Sequence, residues 1–206
     1  MSKLSDLLKQ ASQAYNRPMG LTPAKNRTQA LPMVLIAQVD SLSAGAIEAA
    51  VAAGAEAVLA PVSATADVKG AKAAAGKAAL GGLLEAGTKA EVDQLEKDGC
   101  DFFVLRSANL PADVLQGDDR SAMLELDSSL PDAVLRGVEG LNLDGAVYRI
   151  PGSEVLTVQH LLQLRRAGGL ASKPLFVAAP DGLAPDSAAV LRDAGAVGLI
   201  VPATAV

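Results

Sequence analysis

The segment MVLIAQVDSLSAGAIEAAVAAGAEAVLAPV, residues 33–62, contains one repeating unit of the fold. An apolar run over residues 33–39 is followed by Asp40 and Ser41, which are residue types that cap helices, and then by an Ala-rich helical segment. Gly54 can take the left-handed conformation that closes a helix, and a second apolar run over residues 57–62 follows it directly. The segment therefore predicts a strand, a helix and a second strand parallel to the first.

The same alternation continues along the chain, with further turns at Gly99, Gly145 and Gly195. Eight short apolar runs begin after Gly or Pro turns, and all but the last are followed by a helix-like segment. The predicted strands are residues 33–39, 57–62, 79–84, 102–105, 122–126, 146–150, 175–179 and 197–201. Because parallel strands need helical crossovers and eight of them close a sheet, we predict an α/β fold, a TIM-like (β/α)8 barrel without a C-terminal eighth helix.

The first 31 residues do not fit this alternation. Residues 2–15 place apolar side chains on one helical stripe. Residues 16–32 contain three prolines and one glycine and show no hydrophobic periodicity. We predict a single domain in which residues 1–31 form an N-terminal amphipathic helix and linker and residues 32–206 form the barrel. The helix is expected to pack in the place of the absent eighth helix or at the barrel bottom, through Leu4, Leu7, Leu8 and Ala11.

Composition narrows the function classes. The 206-residue chain is 50% hydrophobic but only 2% aromatic, so its core is expected to consist of Ala, Val, Leu and Ile. A net charge of -5 argues against nucleic acid and anionic membrane as partners. The single cysteine, Cys100, excludes an intramolecular disulfide, and the charged N-terminus is unlike a signal peptide, so we expect a cytoplasmic protein.

Polar side chains come at or just beyond the carboxyl ends of consecutive predicted strands, the face on which TIM barrels carry their sites. Arginines bind anions through forked donors, and carboxylates can move protons. We therefore predict a site for a small anionic metabolite there. The candidate acid or base groups are Glu85, Glu125 and Asp127, and the candidate ligand-binding residues are Gln38, Asp40, Arg106, Arg149, Asp181 and Gly182.

The same charges allow a second interpretation. Glu85 can pair with Arg106, and Glu125 with Arg149, across neighbouring strands, because buried charges are retained when they are paired. The barrel would then be a non-catalytic structural or protein-interaction module. Its Ala-rich outer helices and N-terminal arm are compatible with a homodimer.

Several catalytic chemistries are not supported. The only histidine, His160, falls within a helical pattern away from any strand end, which argues against Ser-His-Asp catalysis. The lysines outside the N-terminal segment fall in helices or bottom loops, which argues against a Schiff-base aldolase. Cys100 precedes the fourth strand and is expected to be a small buried apolar residue. The sequence assigns neither a cofactor nor a metal.

The turns before strands two and eight, residues 52–58 (AAGAEAV) and 192–200 (RDAGAVGLI), resemble those of the compact phosphate-binding (β/α)8 barrels. That superfamily includes isomerases, decarboxylases, synthases and flavin oxidoreductases, so the resemblance implies the fold and a small-molecule substrate. It carries no individual catalytic residue. The chain departs from the pattern after strand eight, where Pro202 lacks an amide donor and no helix is predicted, so a phosphate or flavin site is the less favoured expectation.

Overall fold

The chain forms a closed barrel of eight strands. A computed structural model describes residues 6–7, 33–63, 67–117, 120–152, 155–184 and 186–206. Each strand pairs in parallel with the next in the chain, and the eighth pairs with the first. The predicted (β/α)8 architecture is therefore confirmed. The strands are β1 Val34–Gln38, β2 Ala57–Pro61, β3 Ala79–Leu84, β4 Phe102–Leu105, β5 Ala122–Leu126, β6 Gly145–Arg149, β7 Leu175–Ala178 and β8 Ala196–Pro202.

Helices connect most of the strands. They are α1 Ala44–Ala52, α2 Val68–Ala75, α3 Lys89–Asp98, α4 Asp132–Gly137, α5 Val158–Ala171 and α6 Ser187–Asp193. Short 3-10 turns lie at Ala112–Leu115, Val138–Gly140 and Ala203–Ala205. The prediction that β8 has no α-helix after it holds for residues 203–206, all of which the structure describes. None of the described helices is long and apolar enough to span a bilayer.

One connection differs from the prediction. The segment after β4 was expected to be helix-like, but it contains only the 3-10 turn Ala112–Leu115. Pro111 precedes this turn and Gly117 follows it closely, so the interval is too short for two α-helical turns. The outer face of the barrel between β4 and β5 is therefore covered by a loop instead of a helix.

The predicted glycine turns are mostly confirmed, whereas the cap predicted at Asp40 and Ser41 is not formed: α1 begins after Ser43, whose side chain makes no capping hydrogen bond. Gly54, Gly99 and Gly195 have φ values of +112°, +120° and +108°, and the Thr88 and Glu91 side chains form a capping box at the start of α3. Gly145 is the exception, since it begins β6 and is not among the glycines with positive φ. A Cβ there would lie 3.1 Å from the Pro174 carbonyl oxygen, so the position needs glycine for space and not for its backbone angle.

Two apolar clusters form the core. The one inside the barrel contains one or two residues from every strand, and the other lies between the sheet and the helices. The inner cluster places large side chains beside glycines of the adjacent strand: Phe102 lies opposite Gly81, and Phe176 opposite Gly198. This pairing lets a narrow barrel contain phenyl rings.

The predicted N-terminal helix lies mostly outside the described residues. Asp6 and Leu7 are helical, and Leu7 packs against the inner cluster, in keeping with a helix at the barrel bottom. The placement of Leu4, Leu8 and Ala11 stays a prediction.

Replacing Gly198 by alanine is expected to destabilise the barrel by about 1–3 kcal/mol, the usual cost of overpacking. The new Cβ would overlap the Phe176 ring and lie 2.8 Å from the Val34 carbonyl oxygen, which is backbone and cannot rotate away. Gly45→Ala is the matched control, because a Cβ at this α1 position meets nothing within 4 Å and alanine favours helix. Urea unfolding measures both, and equal stability of the two variants would contradict the packing argument.

The thiol of Cys100 is expected to be inert in the folded protein. The residue is buried, and burial raises its pKa to about 12, so the thiolate fraction at pH 8 is far below that of an exposed cysteine. Iodoacetamide should modify the folded chain very slowly at pH 8 and the urea-unfolded chain at the ordinary cysteine rate. Comparable modification rates in the two states would show that the segment before β4 opens freely and exposes Cys100 to solvent.

Candidate functional site

Four charged residues lie side by side at the carboxyl end of the barrel, two of them directly after β3 and β4 and two at the ends of β5 and β6. They are Glu85, Arg106, Glu125 and Arg149, and we call them the rim charges. Each comes two positions after a member of the inner cluster, so side-chain alternation places all four on the inner face of the sheet. The preceding apolar residues are Leu83, Val104, Met123 and Val147.

The rim charges form a continuous chain of ion pairs. Arg106 Nη1 lies 2.5 Å from Glu85 Oε1, and its Nε lies 3.9 Å from Glu125 Oε2. Arg149 binds Glu125 through two donors, with Nε–Oε1 at 2.7 Å and Nη2–Oε2 at 2.9 Å. Both pairs anticipated by the structural interpretation are thus present.

The two halves of this chain differ in exposure. The Glu125 and Arg149 side chains are 14% and 33% exposed, whereas those of Glu85 and Arg106 are 71% and 38% exposed. The hydrogen bonds that Arg149 donates to the Glu125 carboxylate raise the pKa of Arg149, so its guanidinium stays charged. Bidentate geometry with partial burial makes Glu125–Arg149 the fixed pair, and the solvent-exposed Glu85–Arg106 contact is the weaker one.

Asp127 lies outside this chain of charges. It is exposed beyond the end of β5, and its Oδ1 accepts a hydrogen bond of 2.8 Å from the Ser129 amide. Bonds from the Ser129 amide and side chain lower the pKa of Asp127, which makes it a weaker base than an ordinary carboxylate. Its evident role is to order the loop leading to α4.

The other predicted ligand-binding residues are spread around the rim. Gln38 is half-buried at the end of β1, and side-chain alternation places it on the inner face. Asp40 and Asp181 are exposed, and within the described part of the chain neither forms an ion pair with Arg106 or Arg149. Gly182 has a φ of +81°, a left-handed conformation that suits glycine in the turn after β7.

His160 has a local structural role. It is the third residue of α5, and its Nδ1 accepts a hydrogen bond of 3.3 Å from the Thr157 amide. The Thr157 hydroxyl oxygen in turn accepts a hydrogen bond from the His160 amide, which completes a capping box. This position is consistent with the expectation that the histidine is not a catalytic base.

The sequence analysis did not identify Arg120, whose side chain is 2% exposed just before β5. Its Nη2 binds the carboxylates of Asp93 and Glu96 on α3. Its Nη1 donates to the carbonyl oxygens of Val114 and Gln116 at 2.7 and 2.8 Å. The residues that Arg120 contacts are at least four positions away in the sequence, and most lie on another element. No local sequence pattern therefore predicts this cluster around Arg120.

Comparisons with known proteins support the fold. No family model matches the chain, and no curated protein matches it by sequence. A HpcH/HpaI aldolase/citrate lyase family protein from Burkholderia cenocepacia J2315 is similar in structure, with a TM-score of 0.66, 14% identity, and coverage of 84% of this chain and 89% of that one. The tryptophan synthase α-subunit of Pyrococcus furiosus is also similar in structure, with a TM-score of 0.64, 13% identity, and coverage of 83% of this chain and 87% of that one.

A HpcH/HpaI aldolase from Desulfitobacterium hafniense DCB-2 also matches, with a TM-score of 0.64, 10% identity, and coverage of 82% of this chain and 86% of that one. Identities this low show a shared fold alone. The chain is thus a TIM barrel with a polar carboxyl-terminal rim. Among the residues that the structure describes, no three His, Cys, Asp or Glu side chains are grouped to hold a metal ion.

Replacing Glu125 by glutamine is expected to destabilise the protein by about 1–3 kcal/mol, because two guanidinium groups lose their shared carboxylate in a partly buried site. Glu85→Gln is the matched control and should change stability much less, since the Glu85 side chain is largely in water. Thermal and urea unfolding report both effects. A larger loss at Glu85 would reverse the assignment of fixed and weak pairs.

Proposed function

We propose that this barrel binds a small anionic metabolite at its carboxyl-terminal rim, with Arg106 and Arg149 as the anion ligands. The observation that carries the proposal is the placement of two guanidinium groups at the carboxyl ends of β4 and β6, on either side of β5, both on the inner face and both partly open to solvent. Glu125 orients both of them from between. Donors held in this way bind a carboxylate or phosphate oxygen without reordering of the guanidinium groups themselves.

Glu85 occupies the place that a ligand carboxylate would take on Arg106. Its contact with Nη1 is short, but the Glu85 side chain is 71% exposed, so rotating it into water costs little. An incoming carboxylate can then form the same charge-assisted bond with Arg106. Binding is therefore an exchange of one carboxylate for another.

The three candidate proton-transfer groups are not equivalent under this proposal. Glu125 is held by both arginines, and the lowered pKa of Asp127 makes it a poor base. Glu85, once displaced from Arg106, is the carboxylate free to exchange a proton beside the bound anion. Structural neighbours named as an aldolase/lyase family protein and a synthase subunit favour chemistry on small metabolites, without defining the reaction.

A non-catalytic barrel is the second candidate. One observation favours it: the rim charges are two arginines and two glutamates, fully matched in two ion pairs. Such matching satisfies the barrel interior without any ligand. A thermal-shift screen against carboxylates, phosphorylated sugars, flavins and divalent metals separates the two, because a ligand selective for the folded state raises the melting temperature. No shift with any compound would favour the second candidate.

For a carboxylate found by that screen, Arg106→Met is expected to weaken binding by at least tenfold, because a charge-assisted hydrogen bond is lost. Glu85→Gln should strengthen it by up to about fivefold, since it removes a competing carboxylate whose exposed ion pair contributes about 0.2–1 kcal/mol. Glu48→Gln, at an exposed position of α1, removes the same charge far from the rim and should leave affinity unchanged. Isothermal titration calorimetry measures all three.

If Arg106→Met binds the carboxylate as well as the unsubstituted chain does, the ligand lies elsewhere and the rim assignment is wrong. If Glu85→Gln weakens binding, Glu85 contacts the ligand directly and the exchange argument fails.

A further inference from the structure

A cavity of about 180 Å³ lies on the outer side of the barrel, remote from the inner face that carries the rim charges. The sheet forms its floor through Leu105 of β4 and Leu124 of β5. The 3-10 turn Ala112–Leu115 and the residues just before it cover the cavity and are called the roof. The segment before β6 borders the cavity on one side. The remaining apolar lining includes Leu110, Val114, Leu141 and Leu143.

The cavity exists because the connection after β4 lacks a helix. Elsewhere a helix places bulky side chains onto the sheet, as α3 does with the buried Val92 and Leu95. The turn Ala112–Leu115 offers one fully buried side chain, Val114. A single valine cannot fill the volume that a helix face would fill, so space remains between loop and sheet.

The roof is also held in place from outside. Arg120 Nη1 donates to the carbonyl oxygens of Val114 and Gln116, and Asn142 Nδ2 donates to that of Leu115 at 3.2 Å. Collapse of the loop into the cavity would break these bonds, including two from a buried guanidinium, at a cost above that of ordinary neutral bonds. The cavity is therefore a stable feature of the fold.

We propose that this cavity binds a small apolar molecule, or the apolar group of a larger one, of about six carbon atoms. The lining is mostly aliphatic, and an apolar cavity of about 150 Å³ in another protein stays dry and accepts benzene. Leu141 is 41% exposed and offers an entrance from solvent. A charged metabolite is disfavoured here, because its desolvation would not be compensated.

Benzene is the probe for this site, with selectively labelled Leu and Val methyl groups observed by NMR. Its binding should shift the methyl resonances of Leu105, Val114, Leu124 and Leu143, while those of Val34 in the inner cluster stay unchanged. It should also raise the melting temperature, by about 3–6 °C at ten times the dissociation constant. Failure of carboxylate binding at the rim would leave this result unaffected.

Leu124→Phe fills the cavity and is expected to abolish the benzene-dependent shifts, whereas Leu162→Phe, at an exposed position of α5, should retain them. Leu143→Phe fills the same space from another wall if the first variant does not fold. Absence of shifts in the unsubstituted chain, shifts centred on the inner cluster, or shifts that persist in a folded cavity-filled variant would each overturn the proposal. The methyl map of the unsubstituted chain decides the matter even if neither filled variant folds.

Discussion

The barrel depends on a steric match between large interior side chains and glycines on an adjacent strand. An eight-stranded barrel has room for side chains and little more, so every ring inside it needs a neighbour of minimal size. Phe102 is paired in register with Gly81, and Phe176 with Gly198. Met123 and Gly145 repeat the arrangement between β5 and β6. In a chain with only three phenylalanines, two are used here, on β4 and β7 of the same closed sheet.

This apolar filling fixes where the polar rim begins. Alternation along each strand puts the residue two positions above an interior side chain on the same face, so the rim charges sit directly over the inner cluster. Charges at that height face low-dielectric packing below and water above. Pairing each arginine with a glutamate of an adjacent strand satisfies the lower side and leaves the upper side open to solvent.

Much of this arrangement could be predicted from sequence because it follows from periodic rules. The eight strands follow from the alternation of apolar runs with glycine turns, and the pairing of Glu85 with Arg106 follows from their places on neighbouring strands. Asp127 has the right spacing to join them, yet a local bond to the Ser129 amide holds it in the loop, and no period encodes that competition.

The missed features depend on space and on long-range contacts. The role of Gly145 is set by the Pro174 carbonyl, which comes from a distant part of the chain, and the pattern of a helix-closing glycine was therefore misleading there. Arg120 joins α3 to the loop after β4 through partners up to 27 residues away.

The Arg120 contact supports the connection after β4, where two distinct surfaces meet at the carboxyl end of β4. Leu105 and Ser107 line the outer cavity while Arg106, between them, faces the rim. Any shift of this segment toward or away from the cavity also moves the Arg106 guanidinium relative to Glu85, whereas the bidentate Glu125–Arg149 pair, carried by β5 and β6, does not depend on that loop.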